Sequence, residues 1–130
     1  MNQIKKKNLL KAQQGELDAV LLYQALAKLT KNSKVKEKFT QIAADEGKHA
    51  SILLSYSGEK LKPKKTKALI VSFIYKTLGH SLTCDLLSKG EMDAIPNYQE
   101  MITDFPRVKE IMEDELRHAN IAKECRLDRR

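Results

Sequence analysis

The sequence predicts an all-α protein: a four-helix bundle made of two helical hairpins, joined by a long crossover that contains a short helix. Three observations carry this. Glu-x-x-His occurs twice, as Glu46-Gly47-Lys48-His49 and as Glu115-Leu116-Arg117-His118. Each copy follows a Gly-Glu pair well upstream, Gly15-Glu16 and Gly90-Glu91. The composition, with 32% charged residues, 5% aromatic residues, few Gly and Pro and no Trp, suits helices better than a sheet.

The two copies form an internal duplication. Gly15-Glu16-Leu17-Asp18-Ala19-Val20 aligns with Gly90-Glu91-Met92-Asp93-Ala94-Ile95, and Tyr23-Gln24 with Tyr98-Gln99, at one offset of 75 residues. Val35-Lys36-Glu37 matches Val108-Lys109-Glu110, and the Glu-x-x-His motifs match at an offset of 69, so the second copy is 6 residues shorter around its turn. Two copies of this length are too few and too long for a solenoid, and two hairpins related by a pseudo-twofold axis are the simpler arrangement.

The first helix is expected to begin between residues 3 and 9 and to end near Thr30. Its inner stripe is Leu9, Ala12, Glu16, Ala19, Tyr23, Leu26 and Thr30, at spacings of three and four. Asn32 and Ser33 end it and can cap a second helix, which runs to about Tyr56 with Gly58 as its stop. That stripe is Val35, Phe39, Ile42, Glu46, His49 and Leu53. An unbroken helix from Thr66 to Thr103 would be roughly 55 Å long against about 35 Å for the second helix, so it must break, near Gly79 to Ser81. Lys67 to Leu78 is then a crossover helix and Leu82 to Thr103 the third core helix. The crossover helix, with Leu69, Ile70, Val71, Phe73, Ile74, Tyr75 and Leu78, is too apolar to be fully solvated; it is expected to pack on the bundle or to form a dimer interface, with contact to a membrane surface as the weaker alternative. Pro96 lies inside the third helix and should kink it or open one backbone bond. Asp104-Phe105-Pro106 is the next turn. The stripe going in is Leu87, Glu91, Tyr98 and Ile102; the stripe coming back is Val108, Met112, Glu115, His118, Ala122 and Cys125.

Six polar residues thus stand in the middle of apolar stripes: Glu16, Glu46, His49, Glu91, Glu115 and His118. A Glu and a His three residues apart share one helix face. Residue 31 is midway between Glu16 and Glu46, and residue 103 midway between Glu91 and Glu115, so each antiparallel hairpin brings its two Glu level. Buried carboxylates without a partner repel one another and are costly. Four Glu and two His over four helices are the ligand set of a carboxylate-bridged dinuclear metal site. By analogy with such sites, Glu46 and Glu115 bridge the two metals, Glu16 and Glu91 each bind one, and His49 and His118 complete the set. Two iron ions are the expected occupants, and manganese or zinc suits the same donors. Tyr23 and Tyr98, each seven residues after a Gly-Glu carboxylate, are the candidate catalytic side chains, positioned to hydrogen-bond a bound oxygen species or a ligand carboxylate; a core role with a satisfied hydroxyl is the alternative. Asp18, Asp45, Asp93 and Asp114 lie beside the motifs as surface groups or as supports for the ligands. Cys84 and Cys125 point along the inner stripes toward the end of the bundle away from the 103–106 turn, as buried thiols or as a redox pair. His80 has no Glu at ligand spacing and is read as a helix-boundary residue.

Length and charge set the remaining bounds. The 130 residues are expected to form one domain. The longest uncharged apolar stretch, Ala68 to Tyr75, is too short to span a bilayer, and the basic N-terminus leads into no apolar segment of a signal peptide. Two Cys without a framework fit a reduced, cytoplasmic protein. The net charge of +7 is read as a solvated basic surface in preference to a nucleic-acid or membrane-binding one.

Gly15-Glu16 through Tyr23, Glu46-x-x-His49, Gly90-Glu91 through Tyr98 and Glu115-x-x-His118 together resemble the rubrerythrin branch of the ferritin-like superfamily, over nearly the whole chain. The likeness is greatest to rubrerythrin domains that in some relatives are fused to a membrane iron-transport domain. It implies a ferritin-like four-helix bundle, a homodimer, a non-haem di-iron centre, and reduction of hydrogen peroxide or handling of iron with oxygen. Two features depart from the pattern. Rubrerythrins carry a further Glu three residues after the one matched by Glu91, where this chain has Ala94, and no Cys-x-x-Cys pair follows the bundle. The electron donor is therefore expected to be a separate protein. The leading expectation is a di-iron peroxidase acting in oxidative-stress defence. Ferrous-iron oxidation for detoxification is the alternative, and a metal-stabilised structural or polyanion-binding bundle is the third reading.

Overall fold

The computed structural model describes residues 1–128, which form five helices: α1 (Gln3–Leu29), α2 (Ser33–Ser57), α3 (Thr66–Leu78), α4 (His80–Met101) and α5 (Val108–Cys125). Among the described residues there is no strand. The architecture is that of a ferritin-like helical bundle. Local chemistry sets the ends. The Asn2 side chain accepts from Lys5 N at the start of α1, and Asn32 accepts from Val35 N at 3.0 Å at the start of α2. Gly58 closes α2 in the left-handed region at φ 69°, and Gly79, at φ 95°, is the single residue that separates α3 from α4. The break thus falls at the head of the Gly79–Ser81 window, and α4 starts two residues before the expected Leu82. Pro96 is held inside α4. Pro106 stands ahead of α5, in a tight turn where Val108 N, Lys109 N and Glu110 N each bond the carbonyl three residues back.

Two apolar clusters fill the bundle. One joins Leu22 and Leu26 of α1, Val35, Phe39 and Ile42 of α2, Ala68 of α3, Cys84 and Leu87 of α4, and Ala122 and Cys125 of α5. The other joins Leu9, Ile52, Leu53, Tyr98, Met101, Phe105, Val108 and Ile111. The C-terminal half of α1 and the N-terminal half of α4 therefore lie at one end of the bundle, and the N-terminal half of α2 shares that end. So α2 and α4 run parallel, as the long crossover requires. Between the clusters lies a layer of buried charge. Burial corrects the predicted stripes at three places. Ala12, Ile102 and Met112 are only half-buried, and Gln13, Met101 and Ile111 take the inner positions. Gln13 is buried because it is satisfied: its amide donates to Glu59 O and its carbonyl accepts from the Ser57 hydroxyl.

The crossover is strapped to α1. Beside the Gln13 contact, Gln14 Nε2 donates to Lys62 O at 2.8 Å, and Lys64 N donates to Asp18 Oδ1 at 2.7 Å. These bonds lead α3 onto α1, where Ala68 is buried and Val71 and Tyr75 pack on the core. His80 ties the α3–α4 junction to the end of α5: Nε2 donates to the Cys125 carbonyl and Nδ1 faces the Tyr75 hydroxyl. Cys84 and Cys125 are free and fully buried at that end, and burial, with Cys125 alongside, pushes the Cys84 thiol up to about 12.

Candidate metal centre

Each of the four long helices sends a carboxylate into the middle layer: Glu16 from α1, Glu46 from α2, Glu91 from α4 and Glu115 from α5, all buried, with the buried His49 and His118. The donor atoms form two overlapping groups. Glu16, Glu46, His49 and Glu115 offer atoms within 4.8 Å of one another, and so do Glu46, Glu91, Glu115 and His118. Glu46 and Glu115 belong to both groups, as residues between two metal positions must. The structure thus brings all six sequence-derived ligands together, with Glu16 and Glu91 on opposite sides.

The imidazoles are aimed. His49 Nδ1 lies 2.6 Å from Glu16, 3.1 Å from Glu46 and 3.3 Å from Glu115. His118 Nδ1 lies 3.3 Å from Glu46 and 3.7 Å from Glu91. Nδ1 is the inward nitrogen of both rings. Each Nε2–H donates outward, and across the bundle: His49 to Asp114 at 2.7 Å and His118 to Asp45 at 2.9 Å. Donation from Nε2 leaves the Nδ1 lone pair for a cation. Arg117 binds both aspartates, Asp45 at 2.9 Å and Asp114 at 3.1 Å.

Among the described residues, four buried donor atoms have no hydrogen-bond partner: Glu46 Oε1, Glu91 Oε2, Glu115 Oε1 and His118 Nδ1. Buried polar atoms are otherwise satisfied in folded proteins, so orphaned acceptors converging on one layer mark where cations belong. Protonation tells the same story. Burial and the Glu46 charge raise Glu16 to about 7, and burial pushes Glu115 up to about 12. Burial opposes charge on both imidazoles, but the surrounding carboxylates overcome it and raise His49 strongly and His118 to about 10. Without metal the layer holds protons in place of cations. Glu91 stays low: its burial is outweighed by the nearby His118 imidazole, by Glu115 and by the hydrogen bond from Tyr23.

Both candidate tyrosines lie against this layer. The Tyr23 hydroxyl donates to Glu91 Oε1 at 2.9 Å. Burial, with the charges of Glu16, Glu115 and Glu46, pushes the Tyr98 phenol well above its usual range. Each Tyr therefore addresses the Gly-Glu carboxylate of the other copy. The four adjacent acids separate: Asp45 and Asp114 hold the imidazoles, Asp18 holds the crossover, and Asp93 pairs with Lys89 on the surface. Asp45 and Asp114 each reach the His of the other hairpin, not the His of their own helix. Arg117 escapes the sequence reasoning; the signal for it is the Asp-Glu-x-x-His order of both copies, with a cation directly before each His.

One side of the bundle is open. Helix α1 packs on α2 and α4 on α5, but α1 and α4 do not pack together. A cavity of about 700 Å³ lies between them, floored by Glu16, Glu46, Glu91 and Glu115, with Gly15, Gly90 and Ala94 in its walls. A Cβ at Gly15 or Gly90 would meet nothing within 4 Å, so small side chains there keep the way in wide.

The family profile described as Rubrerythrin matches residues 7–126. The chain belongs to the rubrerythrin family. No curated protein and no solved structure matches it. The match spans all five helices apart from the first turn of α1, and the buried carboxylate and imidazole layer of this rubrerythrin domain fits a di-iron site.

Proposed function

We propose that this rubrerythrin-family protein is a non-haem di-iron oxidoreductase that reduces hydrogen peroxide to water, with electrons from a separate donor protein. The reaction consumes peroxide, two electrons and two protons and yields two waters. The observation that carries the reading is a pair of donor groups sharing Glu46 and Glu115 at the floor of an open cavity. Glu16, Glu46, His49, Glu91, Glu115 and His118 would hold two irons, which would supply one electron each and Lewis acidity. The protein's own part is placement. Asp45 and Asp114 hold the imidazoles with Nδ1 inward, and Arg117 fixes both aspartates. Tyr23 orients Glu91 from within the apolar cluster. The gap between α1 and α4 admits a small oxidant to the carboxylate floor.

The test is metal stoichiometry after anaerobic ferrous loading, followed by stopped-flow absorbance with peroxide or with oxygen. About two irons per chain, oxidised faster by peroxide, are expected. Faster oxidation by oxygen, without turnover when a reductase system is added, would turn the assignment to iron oxidation and detoxification. One metal or none would leave a binding or structural bundle.

A further inference from the structure

The net charge is not spread evenly. From Lys60 to Cys84 the chain holds six Lys and no Asp or Glu, so the rest of the molecule is close to neutral against a total of +7. Among the described residues none of these six, Lys60, Lys62, Lys64, Lys65, Lys67 and Lys76, forms an ion pair. The same stretch carries the most exposed apolar surface of the helices after α1. Leu69 and Phe73 are each 67% exposed and Ile70 is 56% exposed, on one face of α3, while Ala68, Val71 and Tyr75 on the other face pack on the core. Leu82 and Leu86 of α4 are also exposed. By helical spacing, Lys67 and Lys76 flank the Leu69–Phe73 stripe on either side. The sequence alone favoured a solvated surface, but a solvated basic helix does not turn Leu, Ile and Phe outward while its other face is packed.

We infer that the α3 face, with the Lys60–Lys67 connection, docks this protein on an anionic lipid surface. A bilayer satisfies both halves of the pattern: Leu69, Ile70 and Phe73 enter the boundary between headgroups and acyl chains, and the flanking Lys reach lipid phosphates from their apolar stems. A second copy does not. Pairing α3 and its connection with the same stretch of another copy sets Lys67, Lys76 and the four Lys of the connection against their own equivalents, with no acid in either stretch. Nucleic acid satisfies the Lys and leaves the apolar stripe in water. The surface is ready-made, because Gln13, Gln14 and Asp18 already pin the connection, so docking orders no new segment. Among the described residues no helix is long and apolar enough to cross a membrane, so contact is along the surface. This inference does not depend on the peroxide reading.

The test is co-sedimentation of the full chain with vesicles of phosphatidylcholine alone, or with about 30% phosphatidylglycerol, at roughly 0.1 M and 1 M salt. Binding is expected to the anionic vesicles only, and to weaken in high salt. Phe73→Asp, and separately Lys64→Glu with Lys65→Glu, should each lower the bound fraction about tenfold or more while far-ultraviolet circular dichroism keeps its helical signal. Wild type that stays in the supernatant with both vesicles overturns the inference. So does a Phe73→Asp variant that binds as well as wild type. A wild-type dimer that Phe73→Asp makes monomeric, with no vesicle binding, assigns the face to self-association instead. Retention on duplex DNA without vesicle binding assigns it to a polyanion.

Discussion

The two halves of the centre carry the same donors in different surroundings. In the Glu91–His118 half, the imidazole leans on Asp45, whose side chain is 8% exposed, and Tyr23 holds the carboxylate. In the Glu16–His49 half, the imidazole leans on Asp114, whose side chain is 35% exposed, beside a second cavity of about 370 Å³ lined by Lys48, Ser55, Arg107 and Glu110. The protonation follows: Glu91 is held below its usual range while Glu16 is raised to about 7. Duplication delivered matched ligands, and the surfaces around them made two unequal positions. A half whose own carboxylate is already ionised and whose support is buried should bind its cation more tightly than a half whose carboxylate must first release a proton and which lies nearer water.

The comparison is broken most severely at the residues common to both halves. Glu115→Ala or Glu46→Ala removes a donor from both groups, and metal content should fall from about two per chain to near none, read by elemental analysis after ferrous loading. Removing one imidazole should be milder and should expose the inequality. His118→Ala and His49→Ala are each expected to leave about one metal, with helical content largely kept. The His118 variant should hold its remaining ion more weakly, because that ion sits in the looser half. Full retention of two metals in the double His variant would overturn the ligand assignment.

The supports come next. Asp45→Asn and Asp114→Asn each weaken the hold on one imidazole, and losses of about 10- to 100-fold in metal affinity are expected. Asp45→Asn should be the worse of the two, since its carboxylate is the more buried and also takes a hydrogen bond from Gln41. Arg117→Ala touches both halves at once. It should lower both affinities and narrow the gap between the Asp variants, whereas Lys48→Ala, at the matching place in the first copy, should do little.

Much of this was legible in the chain. Glu-x-x-His at spacing three, inside apolar stripes and repeated, can be satisfied in few ways, so the residues alone pointed to the ligand layer and the hairpins. The break at Gly79 was legible because length forced it. What was not legible depends on contacts between helices. Whether Asp45 reaches His49 or His118 is decided by how α2 packs on α5, and one helix's spacing says nothing about that. Gln13 is absent from the predicted stripe because the partners that let it be buried, Ser57 and Glu59, lie more than forty residues away. The outward turn of Leu69 and Phe73 was hidden for the same reason: α3 is apolar on both faces, and only its docking on α1 decides which is left out.

Acidity tests the two halves without mutation. In the metal-free protein Glu16, Glu115, His49 and His118 are all raised, so the folded state holds their protons more tightly than the unfolded chain. Their contribution is present in full below the unfolded values and is lost as pH rises through the folded ones, about 7 for Glu16 and about 10 for His118. Glu91, Asp45 and Asp114 are lowered; their contribution is present above the usual carboxylate range and is lost only in acid. The metal-free Tm should therefore fall between about pH 5 and 8, and the shift in Tm on adding metal should grow over the same interval as the protons are displaced. A metal-free Tm that rises through that window would contradict the buried, proton-holding layer.

The smallest expected effect separates the two tyrosines. Tyr23→Phe removes one hydrogen bond at 2.9 Å to Glu91 and leaves the ring among Phe39 and its apolar neighbours. The net cost should be about 1 kcal/mol, or roughly fivefold in affinity for the ion in the tighter half, with the other ion little changed. Tyr98→Phe acts on the other side, against Glu16, whose carboxyl already takes a hydrogen bond from His49 at 2.6 Å. A carboxylate with that partner loses less when a phenol is removed, so the Tyr98 variant should fall short of the Tyr23 variant in metal affinity. If Tyr98→Phe instead slows peroxide turnover while leaving both affinities alone, its hydroxyl acts on the oxidant in the cavity that it lines. The pair of tyrosines would then differ in role as well as in setting.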